Sequence, residues 1–282
     1  MAIAELYSPP RTVPLVSLLS WERRTALVGL LATAVTFGPA RMAYGMLLPS
    51  LRETFGLSGS TAGVIAAASF AAFALALVLA SLATRTSGAK LPVVVGGVAA
   101  LGGAALVAIA QSTWSMALGV VVAAASAGLC WTPFNAVAGR LVRPHRRDRV
   151  LSMVSTGTTL GIAAMALGAL ALAWTGASWR IVWVVTGAAG MAVAALAFAL
   201  LPPSHRLVPR TRPDVPPLDT AELARRLGKG SAWPIYALAV MFGTVSAVFG
   251  TFAVDHVAGA MHVDGGPELR SPLVPGRSEE VV

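Results

Sequence analysis

The sequence predicts an all-α membrane protein, built as a bundle of six transmembrane helices followed by one further transmembrane helix. Of its 282 residues, 56% are hydrophobic and only 12% are charged, and the mean hydropathy is +0.74. A soluble domain carries about 25% charged residues, so this composition does not supply a water-facing surface. Long apolar runs separated by short basic loops, with tryptophans at the ends of the runs, indicate a chain that crosses a bilayer repeatedly.

Seven apolar windows are long enough to cross a bilayer as helices, which takes about 20 residues each. Apart from Arg180, the second residue of the sixth window, Arg41 is the single charged residue inside them. Helices satisfy their own backbone hydrogen bonds in lipid, and the runs lack the period-two alternation of a barrel strand. The predicted spans are Thr25–Pro49, Ser60–Ala83, Leu91–Ala110, Trp114–Asn135, Leu151–Trp174, Trp179–Leu201 and Trp233–Val254.

The distribution of arginine and lysine predicts the orientation of the spans. With a cytoplasmic N-terminus, the basic residues of 140–149 and 206–229 fall inside, and few fall outside. Basic loops remain in the cytoplasm, so we predict a cell (inner) membrane protein with its N-terminus inside, and no nucleic-acid partner. The tryptophans at predicted span ends are Trp21, Trp114, Trp174, Trp179 and Trp233.

The chain divides into five predicted segments. Residues 1–24 form a cytoplasmic N-terminus, 25–202 the six-span bundle, 203–232 a cytoplasmic linker rich in Pro and Arg, 233–254 the seventh span, and 255–282 a polar tail predicted to be disordered. Six spans, a long basic loop and the start of a second block form an incomplete pattern. We therefore expect a twelve-span protein of which this chain carries the first seven spans.

Three local motifs carry a resemblance to the major facilitator superfamily. Residues 81–90 read SLATRTSGAK, similar to the family signature Gly-x-Leu-Ala-Asp-Arg-x-Gly-Arg-Arg, although the Gly and Asp are absent and the spacing is shifted by one. Thr84 replaces the family's Asp, which helps to latch the two halves. Gly157, Gly161 and Gly168 resemble the glycine-rich fifth helix, where glycines four apart allow close helix packing.

The outer end of span 1 is the third motif, because it carries Arg41, then Tyr44-Gly45, then Pro49, similar to many bacterial members of the family. The resemblance covers residues 20–255. It implies a secondary transporter with two six-span halves, each of 3+3 inverted repeats, that moves a small solute by alternating access. It also makes Arg41 and Tyr44 candidates for substrate binding.

Arg41 lies past the middle of span 1, where burying its charge costs about 3 kcal/mol. One interpretation is an anion-binding residue on the transport path, since a planar guanidinium suits carboxylate or phosphate-like groups. The other is a side chain that snorkels outward or bonds a carbonyl freed by a kink at Gly38-Pro39. The sequence leaves both open.

Thr132 and Asn135 flank Pro133 near the end of span 4, where an interrupted helix could bind substrate. Helix packing explains the same residues. In span 5, a polar face of Ser and Thr residues is explained first by interhelical hydrogen bonds and second by cavity lining.

Loop 140–149 and the loop after span 2 contain the candidate gating residues. Asp148 is predicted to reach the loop of Arg85 and Lys90, with Arg149 in the same cluster. Topology and contact with anionic lipid are a sufficient explanation for the arginines, with gating as an addition.

No nucleotide loop, catalytic triad or metal-spaced cluster occurs in the sequence, so we predict no enzyme activity, no catalytic residue, no metal and no cofactor. The predicted partners are a small-molecule solute, the lipid bilayer and a second copy of the chain. The function predicted is transport of a small solute, with an organic anion favoured by Arg41. The alternative is a non-transporting, truncated membrane protein that binds another membrane protein.

Overall fold

The computed structural model describes residues 15–142, 144–201 and 233–264, and every regular element in these ranges is an α-helix. Six segments of these ranges are long and apolar enough to cross a membrane, as predicted: Glu22–Met46, Gly59–Ser87, Lys90–Ala108, Thr113–Ala138, His145–Thr175 and Arg180–Leu200. The helices are α1 (Leu15–Phe37), α2 (Pro39–Met46), α3 (Leu48–Phe55), α4 (Gly59–Ser87), α5 (Lys90–Ala108), α6 (Thr113–Leu141), α7 (Pro144–Thr175), α8 (Arg180–Leu200) and α9 (Trp233–Asp264).

The first span is two helices rather than one. α1 ends at Phe37, Gly38 follows, and Pro39 opens α2. Proline has no N–H to donate, so it is tolerated in the first turn of a new helix. The Gly38 backbone lies against the backbone carbonyl of Gly161 on α7, where a Cβ would overlap it. The break between α1 and α2 therefore lies where α7 crosses the first span.

Small residues set the spacing of the other helices. α5 packs on α6 and α8, α4 packs on α6, and α1 packs on α7. At Gly97 a Cβ would lie 2.7 Å from the backbone nitrogen of Ala194 on α8, and at Gly103 it would overlap the backbone nitrogen of Ala123 on α6. Van der Waals contact between backbones is the main attraction available to helices in lipid, and glycine permits it.

The predicted packing glycines of the fifth span differ among themselves. A Cβ at Gly157 would overlap the carbonyl oxygen of Leu30 on α1, and one at Gly161 would overlap that of Ala34. At Gly168 the structure differs from the prediction. A Cβ added there would have no atom of the described chain within 4 Å, apart from the nearby backbone of its own helix. The contact with α1 does not extend to this part of α7.

Apolar side chains cover the outer surface of the bundle. Exposed positions on α4, α6 and α8 include Val64, Leu75, Leu118 and Val184. Trp114 and Trp174 are more than four-fifths exposed at helix ends. Lipid is the solvent for such a surface, which agrees with a polytopic membrane protein.

α9 covers the predicted seventh span and extends beyond it. The predicted boundary at residue 254 is wrong, because the helix continues to Asp264 and so includes the first part of the predicted tail. At the other end of the chain, α1 begins at Leu15, within the predicted N-terminal segment. The predicted linker 203–232 and the rest of the tail lie outside the described residues. α9 packs against α2, α3 and α4.

Candidate functional site

Arg41 lies one turn into α2, just after the interruption of the first span. Its guanidinium carbon lies over three phenyl rings, 4.1 Å from the ring centre of Phe73, 4.8 Å from that of Phe70 and 5.6 Å from that of Phe37. Phe37 is the last residue of α1, and Phe70 and Phe73 belong to α4. The break at Gly38 thus sets Arg41 against the ring that ends the preceding helix.

Trp131 of α6 extends this group of rings. Its ring centre lies 5.1 Å from that of Phe37, and the ring of Phe73 meets Phe37 edge-on at 5.8 Å. Edge-on and tilted aromatic pairs contribute about 0.5–1.5 kcal/mol beyond burial of their area. We call Phe37, Phe70, Phe73 and Trp131 the aromatic cage. It fixes the relative positions of α1, α4 and α6 around one cation.

Arg41 is half-buried, and it makes no ion pair and no hydrogen bond within the described part of the chain. A carbonyl freed at Gly38-Pro39 is therefore not its partner there. Faces of aromatic rings attract a cation without using its N–H groups as donors to an acceptor atom. The N–H groups of this guanidinium remain available to an acceptor from outside the described residues.

Tyr44, the second candidate on α2, is engaged in packing. Its side chain is buried, and its hydroxyl donates a 3.0 Å hydrogen bond to the backbone carbonyl of Ala62 on α4. That carbonyl belongs to the first turn of α4, whose first residues are capped by Ser58. The hydroxyl thus joins the outer ends of the first two spans.

Thr132 and Asn135 differ in their surroundings. The hydroxyl of Thr132 is half-buried and donates to the carbonyl of Leu77 on α4 at 3.5 Å, the long limit for a hydrogen bond. Asn135 is exposed on α6. It lies four residues after Trp131, so both side chains lie on one face of the helix. Asn135 is therefore the freer polar group beside the aromatic cage.

Within the described part of the chain, two threonines on the polar face of span 5 form hydrogen bonds inside their own helix, whereas the sequence favours interhelical bonds. Thr156 donates to the carbonyl of Ser152 at 2.9 Å, and Thr158 donates to that of Ser155 at 2.6 Å, both within α7. Ser152, Ser155 and Thr156 are exposed. One hydrogen bond between α1 and α7 comes from Thr33, which donates to the carbonyl of Val154 at 2.7 Å.

The four candidate gating residues do not form a salt-bridge cluster among the described residues. Arg85, Asp148 and Arg149 are exposed, and the ammonium of Lys90 lies 4.3 Å from the ring centre of Phe198. Thr84, at the position of the family's Asp, is buried and donates to the carbonyl of Ala80 at 2.6 Å. Its hydroxyl is satisfied within its own helix and does not replace an acidic latch.

Two ion pairs that the sequence did not predict lie at opposite ends of the bundle. Arg52 on α3 pairs with Asp255 on α9 at 2.5 Å, and Arg146 on α7 pairs with Glu22 on α1 at 3.4 Å. The predicted topology places Arg52 and Asp255 on the same side of the membrane. This shared side is the feature of the sequence from which their pairing could have been suspected. Glu22 lies three residues before the predicted start of span 1, beside two arginines.

Metal and thiol chemistry find no support in the part of the chain that the structure covers. No group of three or more His, Cys, Asp or Glu residues there could hold a metal ion. Cys130 is fully buried on α6, with its thiol 3.8 Å from the carbonyl of Val93.

Comparison with known proteins places this arrangement in context. A family model described as Major Facilitator Superfamily matches residues 22–274. No curated protein matches the chain. Similar solved structures include a peptide transporter, POT, in complex with sulfate, with 19% identity, a TM-score of 0.45 and coverage of 84% of this chain and 50% of that one.

Two structures of a point mutant of that transporter are also similar. Without sulfate it is 16% identical with a TM-score of 0.51, covering 88% of this chain and 49% of that one. With sulfate it is 18% identical with a TM-score of 0.47, covering 89% and 50%. At these identities the likeness indicates the fold alone. The chain spans about half the length of the transporters it matches.

Proposed function

This chain belongs to the Major Facilitator Superfamily, and from that premise we propose that it binds a small organic anion at Arg41 and moves it across a membrane by alternating access. The proposal is carried by one observation: the guanidinium of Arg41 is set among three phenyl rings without an acidic partner in the described chain. Solute and lipid bilayer are then its partners.

The energetics of an intramembrane charge support an anionic ligand. An arginine near the middle of a span costs about 3 kcal/mol on insertion scales. Cation–π contacts return about 0.5–2 kcal/mol. Arg41 has no carboxylate partner among the described residues. The remaining cost of burying its charge therefore falls when a solute anion binds. A guanidinium stacked on ring faces presents its N–H edge, and a carboxylate accepts two parallel hydrogen bonds from such an edge.

The backbone around Arg41 also suits a transport site. Binding sites of secondary transporters use interrupted helices near the middle of the membrane. Here the interruption at Gly38 lies three residues before Arg41. Asn135, exposed on the same face as Trp131, is the second proposed contact, and Thr132 is a weaker candidate because its hydroxyl already faces Leu77.

Alternating access requires contacts at each end that open in turn. We assign the outer contact to Arg52 and Asp255, and we keep Arg85, Lys90, Asp148 and Arg149 as proposed inner gating residues that pair in another state of the cycle. The positive-inside rule supports a cytoplasmic N-terminus in the cell (inner) membrane. A second set of spans completes the transport path in this proposal.

Direct binding tests the proposal without requiring a complete transport path. The purified chain in detergent is titrated with monocarboxylates, dicarboxylates, phosphate monoesters, neutral sugars and amines, and its thermal unfolding midpoint is followed. Stabilisation by one class of anion is expected. Arg41→Gln is expected to weaken that binding at least about tenfold, since a charged hydrogen bond contributes about 1.5–3 kcal/mol.

Two further variants test whether binding depends on the planar guanidinium of Arg41. Arg41→Lys keeps the charge but loses the planar fork, so an intermediate loss is expected. Arg24→Gln removes one exposed positive charge at the other end of the first span and is expected to bind like the unmodified protein. Anion binding that survives Arg41→Gln, or stabilisation by neutral or cationic solutes only, contradicts the proposal.

A further inference from the structure

The N-terminal parts of α1 and α7 enclose a basic groove of about 690 Å³. Glu22 and Arg23 of α1 line one side of it, and His145, Arg146 and Arg149 of α7 line the other. Ala26, Val150 and Met153 form its apolar part. The groove lies apart from Arg41 and the aromatic cage. Of its lining residues the transport proposal uses Arg149, as a proposed inner gating residue.

We propose that this basic groove binds the headgroup of an anionic phospholipid. Its position carries the first step: Glu22 and His145 are the first residues of the two membrane segments Glu22–Met46 and His145–Thr175. The groove therefore lies where hydrocarbon gives way to phosphate, whichever side of the membrane it faces. Basic pockets between transmembrane helices at this depth suit lipid phosphates.

Charge gives the second step. Arg146 is the one groove arginine with an acidic partner among the described residues, and its 3.4 Å separation from Glu22 is long for an ion pair of this kind. Arg23 and Arg149 are exposed and have no ion pair in the described chain. Two arginines without an acidic partner among the described residues thus line one groove of about 690 Å³.

The apolar part of the lining gives the third step. Val150 and Met153 follow Arg146 and Arg149 along α7 toward the middle of the membrane. A phosphodiester at the arginines would place the glycerol and the start of an acyl chain on these side chains. A free inorganic anion would leave them uncovered. The combination of basic rim and apolar wall favours a lipid over a free phosphate.

The start of α7 adds to the attraction. His145 and Arg146 lie in the first turn of a 32-residue helix. The unpaired N–H groups of a first turn give a helix N-terminus a partial positive charge, which adds to that of the arginines.

The experiment uses neighbouring arginines as matched controls. Arg23→Gln/Arg149→Gln removes two groove charges, whereas Arg24→Gln/Arg147→Gln removes two exposed charges on the same helices outside the groove lining. Both variants keep Arg146 with Glu22 and have the same net charge. Each full-length protein is titrated in detergent with phosphatidylglycerol or phosphatidylcholine, and bound lipids are counted by native mass spectrometry.

We expect the unmodified protein and the control variant to retain phosphatidylglycerol. The groove variant should bind it about 25-fold more weakly, since each of the two basic residues near an anionic surface contributes about a factor of five. Phosphatidylcholine binding should not distinguish the three. Arg23→Lys/Arg149→Lys should restore most of the affinity, which separates loss of charge from loss of folding.

Three outcomes overturn the proposal. If the control variant binds phosphatidylglycerol as weakly as the groove variant, the total charge at this end of the bundle attracts the lipid, not the groove. Equal affinity in the groove variant means that the lipid binds elsewhere. Inorganic phosphate that displaces phosphatidylglycerol at equal concentration means that the site recognises a free anion.

Discussion

Arg52 and Asp255 form an ion pair, 2.5 Å between Nη1 and Oδ2, that joins α3 to α9. The carboxylate is the more buried partner, and Arg52 also donates from Nε to the carbonyl of Leu57 at 3.2 Å. Toward the middle of the membrane, a Cβ at Gly45 of α2 would overlap the backbone oxygen of Gly250 on α9. α9 is therefore held to the C-terminal end of the first span by both a charge and a backbone contact.

The first prediction is that Asp255→Asn loosens this end of the bundle. Arg52 keeps its bond to Leu57, so the fold is retained while the contact to α9 weakens. Such a partly exposed pair contributes about 0–1 kcal/mol. The fraction of molecules in which α9 has moved away from α3 should therefore rise about two- to fivefold. The measurement is the rate at which an impermeant maleimide labels Ser50→Cys, which lines a groove beside Val254.

Two controls accompany that measurement. Arg52→Asp/Asp255→Arg reverses the pair and should return the labelling rate toward that of the unmodified pair. Glu53→Gln removes a neighbouring exposed carboxylate and should leave the rate unchanged. A rate unaffected by Asp255→Asn shows that the backbone contact alone closes this end. The buried thiol of Cys130 should contribute no labelling.

The second prediction is that Phe73→Leu weakens anion binding with little effect on folding. Leucine fills much of the space of the ring but has no π face for Arg41, whose guanidinium carbon lies 4.1 Å from the ring centre. Loss of this contact should lower affinity about three- to tenfold. Direct titration measures it. Phe198→Leu removes the ring beside Lys90 and serves as the control; equal losses in both variants contradict the role of the cage.

The spans could be predicted from the sequence because lipid imposes a simple rule on composition and length. Six apolar windows correspond to six described membrane segments, and the main errors are at boundaries. The end of span 7 was set at Val254 because Asp255 and His256 are polar. Asp255 lies within α9 and pairs with Arg52, a residue far away in sequence.

The candidate site was predictable only in part. Arg41 is evident as a lone charge in an apolar run, whereas its cage requires the register of α1, α4 and α6, which no local pattern in Phe37, Phe70 and Phe73 gives. The glycine-rich pattern of span 5 predicts close packing equally at Gly161 and Gly168. The difference between them depends on where α1 crosses α7, which is a property of the tertiary structure.

The third prediction distinguishes a packing role of Tyr44 from a solute-binding role. Tyr44→Phe removes one hydrogen bond to the carbonyl of Ala62, which remains an acceptor within α4, and a hydrogen bond of this kind contributes about 0.5–1.5 kcal/mol. The thermal unfolding midpoint should fall, and anion affinity should be unchanged. An unchanged midpoint together with a loss of affinity would instead assign the hydroxyl to the solute.

The fourth prediction uses three glycines of α7 that lie in different surroundings. Gly161→Ala should be the most destabilising, since its Cβ meets the rigid backbone of Ala34, and Gly157→Ala should follow, since it meets the hydroxyl of Thr33 and the backbone of Leu30. Overpacking of this kind costs about 1–3 kcal/mol. Thermal unfolding in detergent measures each change.

Gly168→Ala is the matched control for these two substitutions, because it adds the same methyl group to the same helix where no atom of the described chain lies within 4 Å. Alanine favours a helix over glycine by about 1 kcal/mol, so this variant should be as stable as the unmodified protein or more so. Because helix propensity acts alike at all three positions, the difference between Gly161→Ala and Gly168→Ala isolates the contact with α1. If Gly168→Ala is as destabilising as Gly161→Ala, the close crossing of α1 and α7 is not what makes glycine necessary in this helix.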